Sequence, residues 1–210
     1  MSDKRTAGKA KEKPEQQLVP PDPEPWPEVV NGEDVLREIE VVLRDYVVMD
    51  RRAYTVVSLW VLYTYVMDLF GRSPRLIISS PEPGCGKTLL CVILASLAYR
   101  ASASSDDTLA VLIRIINATQ TSGPGQPAHI LDELDDWAGP DFFRVVKAGH
   151  TKRFARARRS SGSDWSDTSQ FVTWAPLALA GIKAEKVCPN TVITRSMLVR
   201  LQKAKPGELP

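Results

Sequence analysis

Only three cysteines, Cys85, Cys91 and Cys188, occur in this chain of 210 residues. An odd number without zinc-type spacing excludes a disulfide framework and a cysteine-built structural metal site, and points to a reducing compartment. Neither sign of charge prevails. The 27 Lys and Arg face 25 Asp and Glu, a formal net charge of +2, so bulk charge singles out no partner. A membrane-spanning run is lacking too. The uncharged stretch AYTVVSLWVLYTYVM between Arg52 and Asp68 is shorter than the ~18–20 residues a span needs and is diluted by Thr55, Ser58 and Thr64, so a buried core helix is expected. The opening MSDKRTAGKAKEKPEQQ has no apolar core of the signal-peptide kind, and secretion is not expected. What remains is a composition of 43% hydrophobic and 25% charged residues, which excludes a wholly disordered or fibrous chain and fits one compact domain.

Residues 1–33 read as a disordered Pro/Lys-rich tail. The first 27 hold five basic residues, five acidic ones and six of the 16 prolines; such a segment cannot bury enough apolar area to offset its ordering, and PPDPEPWP favours an extended polyproline path. The domain is expected over residues 34–204, with a short tail at 205–210. From Asp34 to Asp50, Val35, Ile39, Val42, Leu43 and Tyr46 recur at helical spacing. A second, uncharged helix follows. RLIISS then reads as a buried strand running into PEPGCGKT and the apolar run LLCVILASLAY, the strand, loop, helix order of a phosphate-binding loop.

Further on, Tyr99–Ser104 is expected as a short strand and Leu109–Ile116 as a helix. AHILDEL reads as a buried strand ending in two carboxylates, and Asp141–Ala148 as a short helix. The stretch Thr151–Ser169 is expected to be a mobile surface loop, and FVTWAPLALAGI and SMLVRL as two apolar strands. No internal repeat is present. Strands separated by helices predict a layered α/β fold with a mainly parallel central sheet, preceded by two helices, and the strand, glycine loop and helix at PEPGCGKT make the expected class the three-layer P-loop NTPase fold.

Pro83, Gly84, Cys85, Gly86, Lys87, Thr88 and Leu89 form the candidate nucleotide-binding set. Glycines let successive backbone N–H groups turn toward phosphates, while the following helix presents its positive end to the same anion. Lys87 is placed on the β- and γ-phosphates of ATP and the Thr88 hydroxyl on Mg²⁺. Pro81 stands where the usual pattern has its first glycine. Since proline cannot take a positive φ, an extended path into the loop is expected. Asp132 is the second metal candidate, and Glu133 the general base that activates the attacking water. Asp135 and Asp136 are read as surface charges. Arg195, before the last strand, is the candidate arginine that completes a neighbouring subunit's site, with Arg200 second. His150 is read as a local hydrogen-bonding residue and Cys85 as a small space-filling one.

SPEPGCGKT after an apolar strand, the preceding YVVMD and LWVLYTYV, and then ILDEL, KAGH, LALAGI and TRSMLVRL resemble, in this order, a family of P-loop ATPase domains. That family is encoded by bacterial phages, plasmids and integrated elements, is often fused to primase or helicase modules, and is similar to the AAA+ and superfamily-three helicase group. The resemblance covers roughly residues 34 to 204, and the proline at the start of the loop is part of its pattern. It implies Mg²⁺-dependent ATP hydrolysis in an oligomeric assembly working on DNA during mobile-element replication, in the cytoplasm of a bacterial host. It places the loop on Pro81–Thr88, the acidic pair on Asp132 and Glu133, and the finger-like arginine on Arg195. A polar sensor would come from Lys183 or a residue no motif identifies, and a helical lid from a partner subunit or a separate polypeptide.

Between Arg144 and Arg159 lie Arg144, Lys147, Lys152, Arg153, Arg156, Arg158 and Arg159 with no acidic residue among them. Such a cluster attracts phosphates and releases counterions, which makes single-stranded DNA a candidate partner, with Phe154 and Trp165 available for base stacking. Two functions compete on these features. One is a helicase-like motor or remodelling ATPase. The other is a nucleotide-switched helicase loader or assembly module with little hydrolysis of its own. A third reading, suggested by the basic stretch, is a DNA-binding protein whose ATP site has lost its activity.

Overall fold

The computed structural model describes residues 19–121, 125–161 and 167–208. Helix α1 (Gly32–Tyr46) starts where the Asn31 side chain accepts a hydrogen bond from the Glu33 N–H at 2.9 Å, and it buries Ile39 and Leu43. A two-residue strand, β1 (Val48–Met49), leads into α2 (Arg51–Val66), capped by the Asp50 carboxylate on the Arg52 N–H. The lack of charge in α2 after Arg52 fits its position in the core, where Val57, Trp60 and Val61 are fully enclosed. Among the described residues no helix is long and apolar enough to cross a membrane.

The central elements follow as β2 (Arg75–Ser80), α3 (Lys87–Leu97), β3 (Ser102–Ser104), α4 (Leu109–Ala118), β4 (His129–Leu131), α5 (Leu134–Trp137) and α6 (Pro140–Ala148). After them come β5 (Arg156–Ser161), β6 (Asp167–Val172), β7 (Leu177–Ile182), α7 (Ala184–Val187), α8 (Asn190–Ile193) and β8 (Ser196–Gln202). Six strands form one sheet in the order β1-β8-β2-β7-β4-β3, all neighbours parallel except β1 on β8. Alternation along the strands divides the core. Leu76, Ile78, Ile130, Ala178, Ala180 and Val199 face α1, α2 and α3, whereas Ile77, Leu131, Leu177 and Leu179 face the helices α4 to α8. The chain is therefore a three-layer α/β fold, and β2, covered on both faces, is buried at every position around the apolar run Leu76, Ile77 and Ile78, as befits a central parallel strand.

The connection from β2 to β3 passes over β7 and β4, and that from β7 to β8 passes over β2. Connections leaving in opposite senses open a crevice beyond the carboxyl ends of the strands, which is where open α/β sheets take their ligands. The glycine loop after β2 lies at that edge.

Three expectations are corrected. The stretch Thr151–Ser169 is not a bare loop: β5 and β6 pair antiparallel from Arg156↔Val172 to Ser161↔Asp167. Backbone pairing, indifferent to the polarity of RARRSS, makes the ladder, and Val172 anchors it on Met67, Ala155 and Trp174. FVTWAPLALAGI is two strands, not one. The chain leaves β6 at Val172 and turns through Thr173–Pro176, whose carbonyls are taken by Arg75 Nη1 at Ala175 and by the His129 N–H at Pro176. Part of the expected tail is also docked. Val19 is buried, the Arg100 Nε–H donates to Pro20 O at 2.8 Å, and the Tyr99 hydroxyl donates to Asp22 Oδ1 at 2.6 Å. Residues 1–18 and Trp165 lie outside the described residues.

At the start of β4, His129 is buried with Nδ1 3.2 Å from Ser102 Oγ and Nε2 without a hydrogen-bond partner among the described residues. Burial pulls its pKa from 6.5 down to about 4. Between these values the unfolded chain takes up a proton that the folded chain refuses, so this contribution is complete above pH 6.5 and is lost as pH falls toward 4. His129→Leu is expected to remove an acid-side loss of about 3 kcal/mol. A urea midpoint that depends on pH as steeply in the variant as in the wild type would refute this.

Candidate functional site

The loop between β2 and α3 bends at Pro81 and Glu82, where the Ser80 hydroxyl donates to Glu82 O at 3.0 Å. The expected extended path is thus replaced by a side-chain-held bend, which proline's fixed φ accommodates. Gly84 and Gly86 take φ of 78° and 83°, the left-handed region that a side chain disfavours. At Gly86 a methyl group would also come 3.2 Å from Val47 Cγ1. Val47, at the end of α1, therefore supports the loop, a neighbour the sequence pattern gave no sign of. Gly86 precedes α3 without any side-chain cap, which leaves the first N–H groups of an 11-residue helix free for an anion.

Across the same edge, Thr88 Oγ1 donates to Asp132 Oδ2 at 2.9 Å. This joins the first turn of α3 to the end of β4, two elements 44 residues apart and separated in the sheet by β7. Asp132 is 8% exposed. Its other oxygen, Oδ1, accepts the Glu133 N–H at 2.8 Å, its own N–H donates to Ser104 O at 2.9 Å, and the Trp137 indole N–H donates to its carbonyl at 3.0 Å. The residue is held through its backbone and both carboxylate oxygens, with Oδ2 directed at Thr88. Trp137 and Ser104 are positioning residues that no motif marks; Trp137 was legible only as the end of LDELDDW.

Glu133 is exposed and has φ 56°, and Lys183, just after β7, has φ 50°. Two of the three non-glycine residues with positive φ among the described residues thus stand at neighbouring strand ends beside the glycine loop. Backbone strain of this kind is kept where the surroundings over-determine it. The Lys183 N–H donates to Ser80 O at 2.8 Å, which ties the β7 end to the start of the loop and leaves the ammonium exposed there.

Asp135 is more than the surface charge expected of it. Its Oδ1 accepts the Ile182 N–H at 2.7 Å and lies 2.6 Å from where a Cβ on Gly181 would sit. The glycine of LALAGI is therefore a packing requirement. Cys85 is buried in the core under the loop, and the Cys91 thiol is pushed up to about 12 by burial and by the charge of Asp132. Neither position has the exposed, electropositive setting of a reactive cysteine. His150 Nδ1 lies 3.0 Å from Ser73 O, the local hydrogen bond expected of it.

Arg195 lies at the opposite edge. Its carbonyl accepts the Arg75 N–H at the start of β2, about 20 Å from the glycine loop at the rise of a parallel strand. It cannot reach the loop of its own chain. Arg200 pairs with Ser79 in register near the loop, and its Nε is 3.6 Å from Glu185 Oε1. Lys203 meets Glu82 inside the loop at 3.3 Å. Lys147, Lys152, Arg153, Arg156 and Arg158 gather on the far edge and along β5, and Lys152 is neutralised in part by Asp68 at 3.5 Å. The side chain of Arg159 lies outside the described part of the chain.

Thr88 and Asp132 are hard oxygen donors at one point. Among the described residues there is no cluster of three or more His, Cys, Asp or Glu able to hold a metal by itself. Mg²⁺ binds through one or two protein oxygens and completes its shell with water and substrate phosphates, so the Thr88 hydroxyl and the Asp132 carboxylate are the residues that would hold it. The chain matches no protein-family model and no curated protein, so the family resemblance of the sequence rests on its motifs.

Proposed function

We propose that the chain is a Mg²⁺-dependent ATP-binding and hydrolysing protein of the AAA+ and superfamily-three helicase-like kind, acting as a motor or remodelling enzyme on phage or plasmid DNA. The observation that carries this reading is the 2.9 Å hydrogen bond between Thr88 and Asp132 beside two left-handed glycines. Phosphate cradle and acidic strand end meet at one edge although the sequence separates them.

In this reading the N–H groups of Gly84 to Thr88 and the Lys87 ammonium hold the triphosphate. Thr88 and Asp132 hold Mg²⁺, which supplies charge neutralisation on the phosphate oxygens when bound. Glu133, exposed beside them, orients the attacking water and takes its proton. Lys183 stands at the same edge as a second cation. Arg195, out of reach of its own loop, takes no part in hydrolysis within one chain. The cationic strand β5, with Arg156 and Arg158 both exposed, supports a single-stranded DNA contact.

Steady-state Mg²⁺-ATP hydrolysis, with and without single-stranded DNA, tests the proposal. The wild type is expected to turn over ATP faster with DNA, and Lys87→Ala to lose turnover together with nucleotide binding. Equal rates in the two proteins would defeat it. The distance of Arg195 from its own loop favours one second reading, a nucleotide-switched loader that binds ATP and hydrolyses it little. That reading gains if ATP binds without turnover and the mass in solution stays that of a monomer.

A further inference from the structure

At the edge of the sheet opposite the glycine loop, a pocket of about 710 Å³ opens between the approach to β2, the end of α6, the turn before β5 and the corner before β8. Arg72, Lys147 and Arg195 line it with His150 and Phe154, and among the described residues no carboxylate contributes to the wall. The three cations make no ion pair among the described residues, whereas Arg144, Lys152, Arg200 and Lys203 each have a carboxylate partner. Lys147, in the last turn of α6, complements that helix's carbonyl end. Arg72 and Arg195 have no such explanation. Both lie near enough to His150 to lower its proton affinity, after burial and together with Arg75. Phe154 leaves 69% of its surface in solvent at the rim, and Arg156 and Arg158 continue from it along one face of β5, roughly 7 Å apart.

We propose that this pocket is a phosphate-binding site for single-stranded nucleic acid, with the strand's backbone on Arg72, Lys147 and Arg195 and a base stacked on Phe154. Uncompensated cations call for an anion. The exposed ring beside them calls for a flat partner, which a single strand offers and a closed duplex does not. The arginines of β5 then extend the track beyond one phosphate, which favours a polymer over a free nucleotide. The proposal rests on the DNA reading above and adds to it a second binding surface remote from nucleotide chemistry.

The test is the affinity of a fluorescent oligothymidylate for the full chain over a salt series. Arg72→Gln with Lys147→Gln, Phe154→Leu, and Arg156→Gln with Arg158→Gln are compared, each checked for native thermal unfolding. The pocket pair is expected to lower the slope of log affinity against log salt by about 1.4, at roughly 0.7 for each single-strand phosphate no longer neutralised. Phe154→Leu should weaken binding about tenfold with an unchanged slope. If the β5 pair loses affinity while the pocket pair and Phe154→Leu do not, the DNA reading stands and the pocket proposal falls. If the wild type binds no oligonucleotide at any salt, the DNA reading itself fails and the pocket proposal with it. If the pocket variants bind DNA normally but lose an ATP turnover that rises with protein concentration, the pocket serves a second copy's nucleotide, and the proposal is overturned.

Discussion

Glu133→Gln is expected to bind ATP as the wild type does and to hydrolyse it some 10²- to 10⁴-fold more slowly, the range that a positioned general base contributes. Its geometry makes the substitution a clean test. What Glu133 gives to the rest of the site is its backbone N–H, on Asp132 Oδ1 at 2.8 Å, and glutamine keeps that bond. The Asp132 carboxylate therefore stays directed at Thr88, and only the proton acceptor is removed. Asp132→Asn should behave differently, because loss of the charge weakens Mg²⁺ at the Thr88 and Asp132 oxygens and so raises the Mg²⁺ concentration needed for nucleotide binding. Nucleotide affinity by fluorescence and phosphate release at saturating ATP separate the two. Full turnover in Glu133→Gln would remove Glu133 from the mechanism while leaving the phosphate loop intact.

Arg75→Met is expected to destabilise the fold by about 3 kcal/mol. Arg75 opens the central strand, is 1% exposed and has no carboxylate partner among the described residues. Its guanidinium donates instead to Ala175 O at 2.7 Å, Ser73 Oγ at 3.0 Å and Val146 O at 3.1 Å, so one side chain ties β2 to the end of α6 and to the turn before β7. Burial lowers its pKa to about 10, offset in part by Tyr63. Relief of that burial cost in the variant is why the loss stays near 3 kcal/mol although three acceptors lose their donor. Lysine should recover little, since one ammonium on a flexible stem does not match three splayed acceptors as a planar fork does. Urea unfolding measures both. A methionine variant within 1 kcal/mol of the wild type, about the net worth of a single hydrogen bond, would show that the carbonyls find other donors.

Gly149 of KAGH belongs to the same arrangement. A methyl group there would come within 2.5 Å of Arg75 Nη2 and closer still to Thr173 O. The motif is explained by packing around a buried guanidinium, with His150 held to Ser73 by its own hydrogen bond.

Local signals carried much of this protein. The helix over AYTVVSLWVLYTYVM, the buried strand RLIISS and the glycine loop were readable because apolar periodicity and glycine placement act within a few residues. The same holds for α4, α6 and the acid pair at the end of β4. The residues that surround the site were less readable. RARRSS shows no apolar alternation, and its strand exists because DTSQFV lies beside it; FVTWAPLALAGI splits where Arg75, a hundred residues earlier, takes the Ala175 carbonyl. Asp135 looked like one solvated carboxylate among several until β7 brought Ile182 to it.

Sequence alone therefore supplied the residues on which the proposed chemistry rests: glycines and a lysine for a phosphate cradle, a hydroxyl and a carboxylate for a divalent ion, and a neighbouring base. Tertiary structure decided where those groups stand. Thr88 and Asp132 meet only because β4 runs parallel to β2 one strand away across β7, and Arg195 faces away only because β8 runs parallel to β2 and begins at its far end. A spacing pattern records separation along the chain, and strand order converts that separation into distance.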